Sequence, residues 1–295
     1  MLAVDVSRTI DDPTRWNLLQ KRLQEMRTIE AVELLRTHGI EPIVIKGAAA
    51  ARYYPADEFR TSVDVDLAVD PKDFDAGAQI VRKKADRGLA IDLHRGFRHL
   101  DTVPWSDLVS NSVALSLGEH SVTALRPEDD LRILVVHWLT DGGAYRHRLL
   151  DIFHLVEGRD PGFDWERALN SVDARRRRWI ECVLGITAKY FDLDLSDTPV
   201  AGADQRVPAW VIRTIESEWS ADVKPRPLEV SLDDKGLLWA QIKRRIRPNP
   251  IFATVDCNGD LDARTRIFYQ LRNGIGRIPS SYRRISRVLR NRLHE

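Results

Sequence analysis

Two aspartates one residue apart, Asp64 and Asp66, stand in the run SVDVDLAV, and a third, Asp92, stands in LAIDLH. On an extended strand alternate side chains share a face, which would set Asp64 and Asp66 side by side with Cα atoms roughly 6.5 to 7 Å apart. Carboxylates at that spacing suit Mg2+ or Mn2+, hard cations that take a few carboxylate oxygens and leave room for water and phosphate. Paired ions about 3.5 to 4 Å apart can stabilise both the attacking and the leaving oxygen of a phosphoryl transfer. If the strand of Asp92 pairs beside that of Asp66, a third acid joins, and three packed carboxylates require compensating cations. Upstream, Lys46-Gly47 forms a glycine turn that would open backbone N–H groups toward an anion. Arg60 adds a planar cation for phosphate oxygens. A D-x-D taken alone reads more simply as a solvated pair of acids. Phosphate cradle, cation and metal-binding pair standing close together in the chain tilt the reading toward chemistry.

The elements that must position these residues can be read from periodicity. Pro13 to His38 carries Trp16, Leu19, Leu23, Met26, Ile29, Val32 and Leu35 at helical spacing, with Gly39 where a C-cap belongs. Ile43 to Ile45 reads as a strand ending at the Lys46-Gly47 turn, and AAAARYY as a following helix. Ser62 to Val69 alternates Val63, Val65, Leu67 and Val69 with Ser62, Asp64, Asp66 and Ala68, predicting a strand with its acids on the non-core face. A helix from about Pro71 to Lys84 leads to a third strand, Leu89 to His94, on which Asp92 and His94 again take the non-core face. Val113 to Leu117 and Val122 to Ala124 suggest a hairpin around Gly118-Glu119-His120.

From Pro127 the period becomes helical. Pro127 and Glu128-Asp129-Asp130 make a strong helix start, and helical patterns continue through Tyr145–Glu157, Trp165–Val172 and Trp179–Phe191. Pro199 to Pro208 reads as a linker or long loop, followed by helices near Ala209–Trp219 and Asp234–Ile246. The expected organisation is a core over 1–126, a helical domain over 127–198 and a helical extension over 199–295. At 295 residues, with 43% hydrophobic and 30% charged residues, the chain has the composition of a globular protein. Net charge is only +1, yet nine arginines lie between Arg264 and the single acid Glu295. Cys182 and Cys257 are too few for a disulfide framework or zinc site. The first residues lack the basic flank and apolar stretch of a signal peptide, and no run approaches a membrane span, so a cytoplasmic location is expected.

The runs IVIKGAAAARYYP, R-x-x-x-DVDLAV, IDLH, LRPEDDLRILVVHW and RLLDIFHLV, in this order between Ala31 and Leu169, resemble an uncharacterised nucleotidyltransferase family of the polymerase-beta nucleotidyltransferase superfamily. The resemblance implies an α+β fold, with a mixed-sheet polymerase-beta-like core followed by a mostly helical C-terminal region in which the 127–198 segment closes over the nucleotide. It also implies an enzyme that moves a nucleoside monophosphate from an NTP such as ATP to an acceptor and releases pyrophosphate. Asp64 and Asp66 would bind Mg2+ or Mn2+, and Asp92 would ligate the catalytic ion or help deprotonate the acceptor. Lys46, Gly47, Ala48 and Arg60 would contact the triphosphate, with Arg148 and Asp151 as further nucleotide-binding candidates. One departure stands out, because many members place Gly-Ser or Gly-Gly at the turn and this chain has Lys46-Gly47-Ala48.

Several residues have plainer readings. His94 could orient a ligand or simply be satisfied at a strand end. His137 fits a core or interface histidine, Arg148 with Asp151 a local ion pair, and Arg175 to Arg178 a solvated helix face. Asp256 to Asp262 fails as a calcium loop, with Leu261 at the sixth position and Ile267 at the twelfth. The arginine-rich end would suit nucleic acid, an anionic membrane or an acidic acceptor, or be merely solvated. Two other functions use similar residues: a D-x-D glycosyltransferase, disfavoured by the 63 residues preceding Asp64, and a nucleotide-binding protein without turnover. The acceptor, whether small molecule, saccharide or peptide, is not encoded in any recognisable motif.

Overall fold

The computed structural model describes residues 13–60, 62, 64–84, 89–97, 103–221, 234–246 and 248–276. They form two compact units, Met1–Leu134 with Asp151–Asp173, and Val135–Leu150 with Ala174–Glu295. The first contains a five-stranded mixed sheet in the order β3-β2-β1-β5-β4. Strands β1 (Ile43–Val44), β2 (Val65–Val69), β3 (Ile91–Arg95), β4 (Val113–Leu117) and β5 (His120–Ala124) arise where alternation predicts them. β1 is antiparallel to β2 and parallel to β5, β2 and β3 are parallel, and β4 and β5 form the hairpin.

The register decides which face each residue takes. Ile43 lies opposite Ala68 and Val44 opposite Leu67, while Asp66 lies opposite Asp92. Val44, Val65, Leu67 and Val69 therefore pack on one face, against Ala31, Val32 and Leu35 of α1 (Pro13–Arg36) and Phe74, Ile80 and Val81 of α3 (Phe74–Lys84). Ile43, Ile45 and Ala68 pack on the other, with Phe97, Val103, Leu108, Leu125 and Ile133. All five residues of β2 are buried, so the face carrying the acid is a second core face, contrary to the expectation of a core-free acidic face. Both faces are covered because helices α4 (Trp105–Ser110) and α5 (Pro127–Thr140) supply the second layer.

Among the element boundaries that differ from the sequence expectation, two show their cause. β2 starts at Val65 rather than Ser62, because the Ser62 hydroxyl donates to the Asp64 carbonyl at 2.9 Å and bends the chain there. The hairpin turn is Gly118-Glu119, since His120 already pairs with Leu117, and Gly118 takes φ +61°. Helix α1 ends as predicted, with Gly39 at φ +76° and the Ile40 N–H donating to the Leu35 carbonyl. Its predicted apolar stripe is used only at its C-terminal end: Val32 and Leu35 are buried, whereas Trp16, Leu19, Leu23 and Met26 are exposed. A helix of 24 residues is about 36 Å long at 1.5 Å per residue, longer than the five-residue strands it covers.

The three acids expected to open a helix do open α5, and all three are also buried and ion-paired. Glu128 accepts from Arg126 and from the Asp164 N–H, Asp129 from Arg132 and Arg167, and Asp130 from Arg52 and Tyr53. Burial pushes the Asp130 carboxyl up to about 6, against the pull of the Arg52 charge.

The second unit is helical among its described residues: α8 (Ala174–Phe191), α9 (Ala209–Ser220), α10 (Lys235–Ile246), α11 (Pro250–Asp256) and helical residues 267–276. The stretch read as a linker is packed, with Val200 and Ala203 buried and a 3-10 turn over Ala203–Arg206. The solvated reading of Arg175 to Arg178 also needs correction. Arg176 is buried and Arg178 pairs with Asp262, because α8 is enclosed by its neighbours in this unit. The arginine-rich stretch beyond 276 lies outside the described residues. Among the described residues no helix is long and apolar enough to cross a membrane.

Gly185 lies where α8 meets the Ala203 carbonyl, and a Cβ there would sit 2.4 Å from that oxygen. Gly185→Ala should therefore cost about 1 to 3 kcal/mol and lower the thermal unfolding midpoint, which calorimetry would check. An unchanged midpoint would mean that this packing does not hold in solution.

Candidate functional site

The parallel pairing of β2 and β3 places Asp66 directly across from Asp92 and Ala68 across from His94, all on one sheet face. Lys46 reaches the same spot from the end of β1. Its backbone, at φ +50° and ψ −129°, turns sharply into α2 (Gly47–Ala51), a conformation that side chains disfavour and that persists where neighbours enforce it. The turn directs the ammonium inward: Nζ donates to Asp66 Oδ1 at 2.6 Å, and Lys46 is only 7% exposed.

His94 closes the group. Its Nε2 lies 3.2 Å from both Asp66 Oδ1 and Asp92 Oδ2. With a proton on Nε2 the ring donates to both carboxylates, and the 3.3 Å approach of Lys46 Nζ to that nitrogen is then a contact between two donors. Burial alone would raise the Asp66 pKa. The hydrogen bond from His94, with the charge and hydrogen bond of Lys46, outweighs it and holds the group at about 2. The His94 hydrogen bond likewise lowers Asp92 against a smaller opposing effect of burial. Burial disfavours a charged His94, but its two carboxylate partners raise its pKa above the ordinary imidazole value.

Among the described residues, Asp66, Asp92 and His94 each offer a ligand atom, and these atoms lie within 4.8 Å of one another. Two carboxylates and an imidazole form a donor set that fits a divalent cation. Asp64 stands apart from this group. It is exposed, precedes the strand, and its carboxylate accepts from the Ser62 hydroxyl at 3.1 Å. The pleat that was to align it with Asp66 begins one residue too late.

The sequence of this chain matches the family of uncharacterised nucleotidyltransferases over residues 1–192. The chain belongs to that family. Among solved structures it is similar to the crystal structure of an antigenic nucleotidyltransferase-like protein from Paracoccidioides brasiliensis, at 16% identity and a TM-score of 0.42, over 59% of this chain and 90% of that one. No curated protein matches it.

In this nucleotidyltransferase-family chain the remaining candidates separate. Gly47 is buried at the start of α2, and a Cβ there would meet nothing nearer than 3.6 Å, so packing does not demand a glycine. Ala48 belongs to the core under α1, which leaves its backbone N–H as its only polar donor. Arg60 is held by Asp151, with Nε to Oδ1 at 3.1 Å and Nη2 to Oδ2 at 3.0 Å, and Tyr54 donates to the same Oδ1 at 2.7 Å. The Asp151 charge and hydrogen bonds raise the Arg60 pKa in spite of burial, and the Asp66 charge adds to this. Arg148 belongs to the second unit, where it pairs with Asp141, approaches His137 Nε2 at 2.9 Å and covers the Tyr145 ring. The local Arg148–Asp151 pair expected from sequence therefore gives way to a separate partner for each, since Asp151 opens into the first unit while Arg148 sits in a 3-10 turn.

Two residues at this site carried no sequence signal. Gln24, buried on α1, accepts from the Ser62 N–H through Oε1 at 3.1 Å, which orients the amide. Its Nε2 has no hydrogen-bond partner among the described residues and faces the Gly47 turn, 3.6 Å from where a Cβ would stand. Ser62 brings a hydroxyl equally close to Gly47, so the turn that lacks its own serine has one supplied from the approach to β2. Only tertiary placement reveals either, because both lie far from Gly47 in the chain.

The sign of the Asp66 effect on stability follows from its depressed pKa. The contribution is present in full above about pH 4 and is lost as pH falls toward 2. Its size at neutral pH is about 2 kcal/mol. Asp66→Asn should reduce the urea-unfolding free energy at pH 7, and the gap to the native protein should close as pH is lowered below 4. A gap that stays constant with pH would show that Asp66 is not held ionised by Lys46 and His94.

Proposed function

We propose that this chain is a divalent-metal-dependent nucleotidyltransferase that transfers a nucleoside monophosphate from an NTP to an acceptor hydroxyl or similar nucleophile, releasing pyrophosphate. The observation that carries the reading is the in-register pair Asp66 and Asp92, gathered with His94 and Lys46 beside a glycine turn. Asp66 and Asp92 would hold the cation, with His94 as a nitrogen ligand, and Asp64 at the exposed entrance would supply a carboxylate for an ion carried by the nucleotide. A bound divalent cation would neutralise charge developing on the α-phosphate and the leaving oxygen.

The chain's own groups do the rest. The N–H groups at Gly47 and Ala48 and the orphaned Gln24 amide make a neutral donor surface for triphosphate oxygens. Arg60, kept in place by Asp151 and Tyr54, offers a fixed guanidinium to the same anion. The acceptor oxygen attacks the α-phosphorus, the bond from that phosphorus to the bridging oxygen of the β-phosphate breaks, and pyrophosphate leaves with the electron pair. Asp92, whose side chain is 56% exposed, is the carboxylate of the group that an incoming acceptor can reach, and it takes the proton.

Labelled NTPs offered with Mn2+ or Mg2+ should bind, and pools of small molecules, saccharides and peptides should be screened for acceptor-dependent pyrophosphate release. The paired substitution Asp66→Asn with Asp92→Asn should reduce release by at least about a hundredfold, the order of effect seen when charge-stabilising groups are removed. Nucleotide binding and turnover that survive loss of Asp64, Asp66 and Asp92 together would sink the assignment. Gly47→Ala gives an independent check on the cradle. The protein has room for the methyl group, so thermal stability should hold, while a phosphate lying on the turn would be displaced and NTP affinity should fall about tenfold, equivalent to 1.4 kcal/mol.

A further inference from the structure

Lys46 holds Asp66 in a way that bears on how a cation enters the site. Its Nζ lies 2.6 Å from Oδ1, the same oxygen that His94 Nε2 approaches at 3.2 Å, so both donors crowd one oxygen of Asp66, and the same His94 nitrogen lies 3.2 Å from Asp92. A divalent ion bound by carboxylate oxygens sits about 2.0 to 2.2 Å from them, and an ammonium cannot keep its place against Oδ1 beside such an ion without two cations in near contact. The buried Asp66 carboxylate nevertheless needs a positive partner at all times, because an uncompensated charge at this depth is costly. Lys46 meets that need through a backbone turn in a disfavoured conformation, which fixes the root of the side chain and leaves four methylene groups between it and the ammonium. The alternative partner lies at the root itself, because Lys46 directly precedes Gly47 and the turn that the orphaned Gln24 amide faces.

We propose that Lys46 is a resident counterion of the carboxylate site, excluding a divalent cation while no nucleotide is bound and transferring its ammonium to the triphosphate when metal and nucleotide arrive together. This rests on the nucleotidyltransferase reading and adds an order of events to it. The protein alone binds free metal weakly, so that Asp66 and Asp92 do not hold an ion without its substrate. Metal and nucleotide then strengthen each other's binding, and because such coupling is reciprocal, one side chain governs both affinities.

The test is a Mn2+ titration followed by electron paramagnetic resonance, without nucleotide and again with a non-hydrolysable NTP analogue. It uses the full chain, Lys46→Met, Lys46→Gly and Arg60→Met. Lys46→Gly removes the ammonium and also relieves the positive φ, so it keeps the comparison available if Lys46→Met folds poorly. Removing the ammonium should tighten Mn2+ binding at least about tenfold in the absence of nucleotide and shrink the mutual enhancement between metal and analogue. Arg60→Met removes a cation near Asp66 that does not occupy its oxygen, and should tighten Mn2+ binding far less. Equal Mn2+ affinity in the native protein and both Lys46 variants would overturn the proposal, as would an Arg60→Met gain as large as theirs. In either case, Mn2+ binding with the analogue present would leave the nucleotidyltransferase reading standing. Absence of Mn2+ binding in every protein, even with the analogue, would defeat that reading itself.

Discussion

The contact between Lys46 and Asp66 joins three parts of the chain that are otherwise separate in sequence. One partner ends β1 and begins α2, the other lies within β2, and His94 extends the group to β3. A buried ion pair adds little net stability over an apolar pair of the same shape, yet breaking one partner away is strongly destabilising. The pair is therefore better understood as fixing register and position than as a source of stability. It holds the end of β1 to the start of β2, which is where Ile45 donates its N–H to the Asp66 carbonyl.

The surrounding fold makes this arrangement possible by burying both faces of a short sheet. Helices α1 and α3 take the face of Val65, Leu67 and Val69, and a second layer around Phe97, Leu108 and Leu125 takes the face of Asp66. Excluding water from the acid-bearing face raises the energetic stake of every charge on it. The outcome differs along that face: Asp66 is enclosed and strongly acidic, whereas Asp92 across the ladder stays open to solvent. Two carboxylates one strand apart are thereby given different environments, a common way for one site to divide roles between chemically identical groups.

Charge pairing is also used away from the site. The acids that open α5 are drawn inward by Arg52, Arg126, Arg132 and Arg167, and Asp151 is committed to Arg60 and Tyr54. A chain whose net charge is close to zero thus hides a dense set of internal ion pairs, and Arg60 becomes a guanidinium of fixed direction because Asp151 grips its fork at two points.

The sequence by itself determined the elements and the identity of the acids. Alternation in SVDVDLAV and LAIDLH marked the positions of β2 and β3, helical spacing marked α1 and α5, glycine marked the end of α1, and the ordered motifs marked the family. These are local signals, set by periods of 2 and 3.6 residues and by turn chemistry. Tertiary structure decided which acids meet. Asp64, adjacent to Asp66 by spacing, is parted from it by a bend that Ser62 stabilises, while His94, ambiguous in sequence, joins Asp66 and Asp92 because β2 and β3 pair in parallel with those residues in register. Gln24 and Ser62 reach the Gly47 turn only through packing of α1 and the approach to β2. Pairing register, the covering of a second sheet face and contacts between distant residues depend on three-dimensional closure, which no local period records, and those three features bring Asp66, Asp92 and His94 together and leave Asp64 outside.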